Sequence, residues 1–116
     1  MLTSIVPKLP MRKKDRTLQY YVDLLQFDLR GDFGNYLIVG KDDIEIHFLL
    51  FENLNPNKNY GQIYVRTNDI EHLYRNLLER NVEIHPNAPL ETKPWGEKEF
   101  ALLDPDHNLI TFGQAF

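Results

Sequence analysis

The stretch Lys98-Glu99-Phe100-Ala101-Leu102-Leu103, then Asp104-Pro105-Asp106-His107-Asn108, then Leu109-Ile110-Thr111-Phe112 decides the fold. Two β-type runs, 98–103 and 109–112, flank a tight turn. Pro105 pre-sets φ at its first corner, and His107 enters the left-handed region, which histidine tolerates better than most residues. Alternation within the runs sends Phe100, Leu102, Ile110 and Phe112 to one face of a sheet and leaves Glu99, Ala101 and Thr111 on the other. A helix has to cover the apolar face. Upstream, Ile70, Leu73, Tyr74, Leu77 and Leu78 recur at helical spacing, with Asp69 as N-cap and Arg80 near the C-terminal end, which predicts a helix over about 69–80.

Working outward, Gln62–Thr67 and Val82–His85 read as strands on either side of that helix. The first half repeats the order. Ser4–Met11 reads as a strand and Leu18, Tyr21, Val22 and Leu25 as the apolar stripe of a helix over about 14–25. Asp28–Gly31, Tyr36–Val39 and Ile44–Phe51 follow as strands. Gly34-Asn35 and Lys41-Asp42-Asp43 are hairpin turns, and Asn53 to Asn59, with Pro56, is a connector. Each half therefore runs strand, helix, three strands, and Tyr21-Val22-Asp23-Leu24-Leu25 matches Tyr74-Arg75-Asn76-Leu77-Leu78 at a constant offset. The expected fold class is α+β: one domain over 1–116 built from two βαβββ modules, about 1–52 and 60–116.

Composition limits the chemistry. A chain of 116 residues is the size of one domain, and 42% apolar with 26% charged residues is a globular balance. Thirteen basic against seventeen acidic side chains leave a net charge of −4, which argues against a nucleic-acid backbone and suits a cationic ligand. Cysteine is absent, so disulfides, thiolate nucleophiles and cysteine-ligated metals are excluded, and redox chemistry would need a borrowed cofactor. The opening residues hold no apolar run of signal-peptide length, and no stretch approaches the ~20 residues of a membrane span. A cytoplasmic protein is expected.

Parity places polar groups together. Ile44, Ile46 and Phe48 face the helix, so Glu45, His47 and Leu49 share the other side; Ile63 and Val65 face the helix, so Gln62, Tyr64 and Arg66 do likewise; Val6 and Lys8 come from the first strand. Leaving such groups buried and unpaired would cost ~1–3 kcal/mol each, so they pair with one another, with water or with a ligand. The face is either a ligand cleft or a solvated outer sheet surface. Trp95, the only tryptophan, follows a proline in a loop and fills no periodic face, so it is either a ligand contact or an anchor for its own loop. Phe33 and Tyr36 flank the Gly34-Asn35 turn, where they either meet a ligand or pack a hairpin or subunit contact. His72 and His85 read as solvated. Ser4, the only serine, is tied to no imidazole, and glycine-rich phosphate motifs are missing.

The segment Lys93-Pro94-Trp95-Gly96-Glu97-Lys98-Glu99-Phe100-Ala101 through Asp104-Pro105-Asp106-His107-Asn108 to Thr111-Phe112-Gly113-Gln114 resembles the signature of bleomycin-resistance proteins. These are members of the glyoxalase/bleomycin-resistance/dioxygenase (vicinal oxygen chelate) superfamily. Ile5-Val6-Pro7-Lys8-Leu9-Pro10, Tyr20-Tyr21, Glu45-Ile46-His47-Phe48 and Ile63-Tyr64-Val65-Arg66 continue the likeness over nearly the whole chain. One local departure is His107, where similar proteins carry glycine.

The resemblance implies a metal site in the superfamily's enzymes, and its four positions fall here on Val6, Glu45, Gln62 and Thr111. Only Glu45 is a strong ligand, so the site reads as dismantled and no cofactor is expected. A lyase or dioxygenase using a metal held by Glu45, His47 and Glu99 is the alternative. The resemblance further implies binding of planar heterocycles between aromatic rings, with carboxylates neutralising positive groups. The expected function is thus metal-free sequestration of a cationic planar small molecule, an antibiotic-resistance role. Its expected ligand contacts are Trp95, Phe33, Tyr36, Glu45, His47, Gln62, Tyr64, Glu99 and Thr111. The resemblance also implies a homodimer, in some cases with an exchanged N-terminal strand; Pro7 and Pro10 mark either a hinge for that exchange or an edge strand.

Overall fold

A hairpin of β3 (Tyr36–Lys41) and β4 (Ile44–Leu50) organises the first half of the chain in the computed structural model, which describes all 116 residues. Lys41 pairs with Ile44, and Asp42 turns the corner at φ 52°, a conformation an aspartate side chain tolerates. Around it lie β1 (Lys8–Met11), parallel to β4, and β2 (Asp28–Asp32), antiparallel to β3, giving the order β1-β4-β3-β2. The edge position of β1 accommodates Pro10. Leu9, Met11, Leu37, Val39, Ile46 and Phe48 are buried on one face, as parity requires, together with Tyr21, Leu25 and Phe27. Tyr21 makes the central contact, its ring centroid 4.7 Å from that of Phe48 and 5.9 Å from that of Phe27.

Two expectations for this half are corrected. The first strand is Lys8–Met11 rather than Ser4–Met11, so Val6 lies outside it; the first ladder contact is His47 N–H to the Pro7 carbonyl. The helix over 14–25 divides into an α-helical turn, α1 (Lys14–Leu18), and a π-helical turn (Gln19–Leu24) in which Leu25 N–H reaches back to Tyr20. The wider turn brings Tyr21 and Leu25 fully inward, and a stripe of two turns cannot distinguish a 3.6-residue repeat from this geometry.

The second half repeats the topology. β5 (Gln62–Arg66), α2 (Ile70–Glu79), β6 (Glu91–Thr92), β7 (Glu97–Leu103) and β8 (Leu109–Ala115) form a sheet of order β5-β8-β7-β6. The β7–β8 turn is fixed by one buried carboxylate. Asp104 Oδ1 accepts the N–H groups of Asp106 and Asn108 at 2.9 Å each, Oδ2 accepts from the Asn108 side chain, and His107 takes φ 64°. Asp69 caps α2 through His72 N–H. At the other end Asn81 takes φ 60°, Asn81 N–H bonds Leu78 and Val82 N–H bonds Leu77, the pattern of a Schellman cap.

That cap overturns the expected strand Val82–His85. The Val82 amide is consumed by the helix, and Pro86 offers no donor, so only His85 N–H and the Ala88 carbonyl bridge to Ala101. The edge strand is Glu91–Thr92 instead. Leu78, placed on the helix stripe by its spacing, is exposed. The chain divides into two compact units, Met1–Asn59 and Tyr60–Phe116.

Candidate functional site

In the first unit, cross-strand register puts Tyr36 opposite Leu49, Ile38 opposite His47 and Gly40 opposite Glu45, all on the face away from the buried core. The side chains join into a relay. Tyr36 Oη lies 2.6 Å from His47 Nδ1, and His47 Nε2 lies 2.8 Å from Glu45 Oε2. A carboxylate only accepts, so Nε2 carries its hydrogen toward Glu45, and in the neutral ring Nδ1 accepts the Tyr36 hydroxyl. The Lys8 ammonium stands 5.3 Å from the Tyr36 ring centroid. Arg30 crosses over Gly40, where a Cβ would meet its guanidinium at 2.2 Å, and donates to the Ile44 and Asp42 carbonyls.

Phe33 sits on the β2–β3 turn, its ring lying against Gly31 and 68% of the residue exposed. The turn beneath it is braced by Asp32. Its carboxylate accepts Gly34 N–H at 3.0 Å and the Lys14 ammonium at 3.2 Å, and these two bonds, the backbone one first, hold its carboxyl below the usual 3.8.

In the second unit, Tyr64 Oη and Trp95 Nε1 both donate to one oxygen of Glu99, Oε2, at 2.8 and 2.9 Å. Glu99 is 9% exposed, whereas the Trp95 residue is 65% exposed. The indole is thus held by its N–H edge, with the Lys93 ammonium 6.0 Å from the ring centroid over one face and the rest of the residue largely exposed. Gly96 at φ 85° and the Gly96 N–H bond to Lys93 fold the loop that delivers it. Burial of the hydroxyl, then its bond to Glu99, push the Tyr64 phenol up to about 12. Tyr64 reaches Glu99 only because it crosses Gly113, where a Cβ would stand 1.9 Å from Oη. Thr111 pairs with Tyr64 on one side and Ala101 on the other, while Gln62 is exposed at the end of β5.

Two groups at this face escaped the sequence. Glu97 accepts from Arg66 Nη1 at 2.7 Å, and its other oxygen is buried without a partner. β7 begins one residue before the expected Lys98, and the parity of Glu99 would have included Glu97. His85, expected in solvent, is half-buried, and its Nδ1 accepts Asn87 N–H.

The donor set does not fit a resident metal. Glu45 and His47 are bonded to each other, Glu99 Oε2 carries two hydrogen bonds, and of the other inherited positions Val6 has no donor atom while Gln62 and Thr111 are neutral oxygens. No group of three or more His, Asp or Glu side chains is arranged to hold an ion.

A model of the Glyoxalase/Bleomycin resistance protein/Dioxygenase superfamily matches residues 7–112. The chain is 28% identical over 132 aligned positions to a bleomycin resistance protein of Geobacillus stearothermophilus, covering 98% of this chain and 97% of the relative. It is 27% identical to one of Klebsiella pneumoniae, covering 95% and 90%. Among solved structures, a bleomycin-binding protein complexed with bleomycin superposes with a TM-score of 0.88 at 24% identity over 99% of this chain and 100% of the other. The bleomycin-binding protein of Streptomyces verticillus, complexed with copper(II)-bleomycin, gives 0.82 at 22% identity over 100% and 98%. The two four-stranded sheets with their covering helices are therefore an α+β glyoxalase/bleomycin-binding fold, and the chain belongs to the glyoxalase/bleomycin resistance protein/dioxygenase superfamily.

Proposed function

We propose that this protein binds and sequesters a cationic, planar small molecule of the bleomycin class, so that resistance follows from holding the drug with no bond broken. The observation that carries the reading is the latched tryptophan: a largely exposed indole, already beside the Lys93 cation, whose N–H edge is tied to a buried carboxylate. Trp95, Phe33 and Tyr36 supply rings for stacking, and Glu45 and Glu99 supply negative charge, each already braced by His47 or Tyr64. Gln62 and Thr111 add neutral polar contacts. A desolvated cation–π contact is worth about 2 kcal/mol. Several such contacts together with apolar burial make up the roughly 8 kcal/mol of a micromolar complex. Relatives described as bleomycin resistance proteins match over nearly the whole chain, which favours this ligand class.

The binding form is a cytoplasmic homodimer. Met1, Leu2 and Ile5, at the start of the chain, are almost fully exposed, and an apolar arm of this kind suits a second copy as its cover. Calorimetry with metal-free bleomycin tests the function: dissociation at micromolar concentration or tighter is expected, and no heat at high micromolar drug refutes it. Sedimentation equilibrium tests the dimer, which fails if the chain stays at 13.7 kDa at the concentrations where drug binds.

A further inference from the structure

The second unit holds a cleft of ≈ 220 Å³ between the loop carrying His85, Ala88 and Lys93 and the strands carrying Glu99, Ala101 and Thr111. Its walls are mostly apolar. The cavity is larger than the ~150 Å³ that accepts benzene in an engineered protein core, so it holds a ring-sized group. Glu99 spends Oε2 on Tyr64 and Trp95, and its Oε1 has no protein partner. A nine-tenths buried carboxylate thus presents a free oxygen to the cavity it lines.

The other charged groups at the cleft are already matched. The Lys93 ammonium is bonded to Glu91 Oε1, and His85 uses Nδ1 to accept the Asn87 amide hydrogen. Glu99, which the Arg66 guanidinium reaches only through space, is the charged group at the cleft that keeps an oxygen without a hydrogen bond. We infer that this cleft is a subsite within the proposed drug-binding face for a compact alkyl- or arylammonium group, whose N–H donates to Glu99 Oε1 while its hydrocarbon part packs on Ala88, Ala101 and Leu109. The inference rests on the drug-binding reading for the remainder of the ligand. It adds a selectivity: ligands ending in a protonated amine on a short apolar stem are preferred over neutral counterparts. Occupancy is reported by Trp95, which shares Glu99 with the bound cation and is the only tryptophan.

The test titrates benzylammonium and its neutral counterpart benzyl alcohol into the protein, following Trp95 emission and calorimetric heat. Benzylammonium is expected to bind at least about tenfold more tightly, as a charge-assisted hydrogen bond to a nine-tenths buried carboxylate requires. In Glu99→Gln the preference falls to about unity. The latch itself is retained there, because the amide oxygen still accepts from Tyr64 and Trp95. Ala88→Leu, which fills the cleft and leaves the carboxylate in place, abolishes benzylammonium binding and keeps the inference testable if the Glu99 variant does not fold. Equal affinities for the two probes, or benzylammonium binding untouched by Ala88→Leu, overturns the subsite. Bleomycin bound normally by a protein that shows no benzylammonium preference sinks the subsite alone; benzylammonium bound selectively by a protein that ignores bleomycin sinks the drug-binding reading alone.

Discussion

Alanine at position 113 would put a methyl group 1.9 Å from Tyr64 Oη and 2.4 Å from Cζ, where ordinary contact begins at 3.4 Å. The phenol has to withdraw by roughly 1.5 Å, because Cβ is fixed to the strand and the side chain is the movable partner. That withdrawal takes its 2.8 Å bond to Glu99 past the ~3.2 Å limit of a good hydrogen bond. A bond to a charged acceptor contributes about 1.5–3 kcal/mol, and alanine in place of glycine in a strand returns roughly 0.5–1 kcal/mol, so Gly113→Ala should lose about 1–2 kcal/mol in urea unfolding. A second signature is specific to the geometry. The wild-type phenol titrates near 12 against 10 for a free tyrosine, so the folded state holds this proton more tightly. Its contribution is complete below pH 10 and is lost as pH rises through 10 toward 12. Two pKa units are nominally about 2.7 kcal/mol, which solvent screening of a residue 44% exposed reduces to about 1 kcal/mol. Gly113→Ala should therefore flatten the alkaline decline in stability and move one tyrosinate transition down, and subtraction of a Tyr64→Phe titration identifies which one. An unchanged titration with unchanged stability would show that Tyr64 does not cross Gly113, and the account of the Glu99 latch would fall with it.

Trp95→Ala should weaken bleomycin binding at least about tenfold by calorimetry and lower stability by about 1–2 kcal/mol, since the ring contributes little burial but its N–H bond to the buried Glu99 carboxylate is lost. The Asp32 carboxyl should titrate below 3.8 by NMR, and Lys14→Ala should restore only part of the shift, because the Gly34 amide is the larger cause; the stabilising contact is present above 3.8 and lost as pH falls through the lowered value. Asn81→Val, which forces a β-branched residue to φ 60° at the end of α2, should cost about 1–2 kcal/mol in thermal unfolding, whereas Asn81→Gly should cost nothing or stabilise slightly.

The topology was legible because it depends on parity and turn chemistry, both local. Phe100 and Leu102 against Ile110 and Phe112 fix which face of the second sheet is buried, and Asp104 with Asn108 closes the hairpin between them through bonds spanning only four residues. Where the reading failed, a backbone group had been claimed by a competitor that periodicity does not record. Val82 carries a β-branched side chain in an apolar run, yet its amide is spent on the Leu77 carbonyl, and the strand it would have begun never forms. The π-helical turn escaped for a related reason: Tyr21 and Leu25 are spaced four apart, which either helix satisfies over so short a length.

The site was legible as a set of residue types and illegible as a set of contacts. Parity gathers Tyr36, Glu45 and His47 on one face and Tyr64, Glu99 and Thr111 on the face of the other sheet, and the register agrees. Pairing across 35 residues, as between Tyr64 and Glu99, depends on which backbone lets a side chain pass, and Gly113 reveals that role only once the strands are adjacent. Of the two readings of Trp95, loop anchor and ligand contact, the geometry shows the anchor, and the ligand contact belongs to the proposed function. The indole N–H edge anchors the loop to Glu99, and that fixed edge is what holds the exposed ring in place. A ring ordered before a ligand arrives loses less rotational freedom on binding than a mobile one, by about 0.5–1.5 kcal/mol for an immobilised side chain. Under the proposed function, structural anchoring and ligand recognition therefore reinforce each other at this residue, and a carboxylate already held by two donors would neutralise a bound cation without rearrangement.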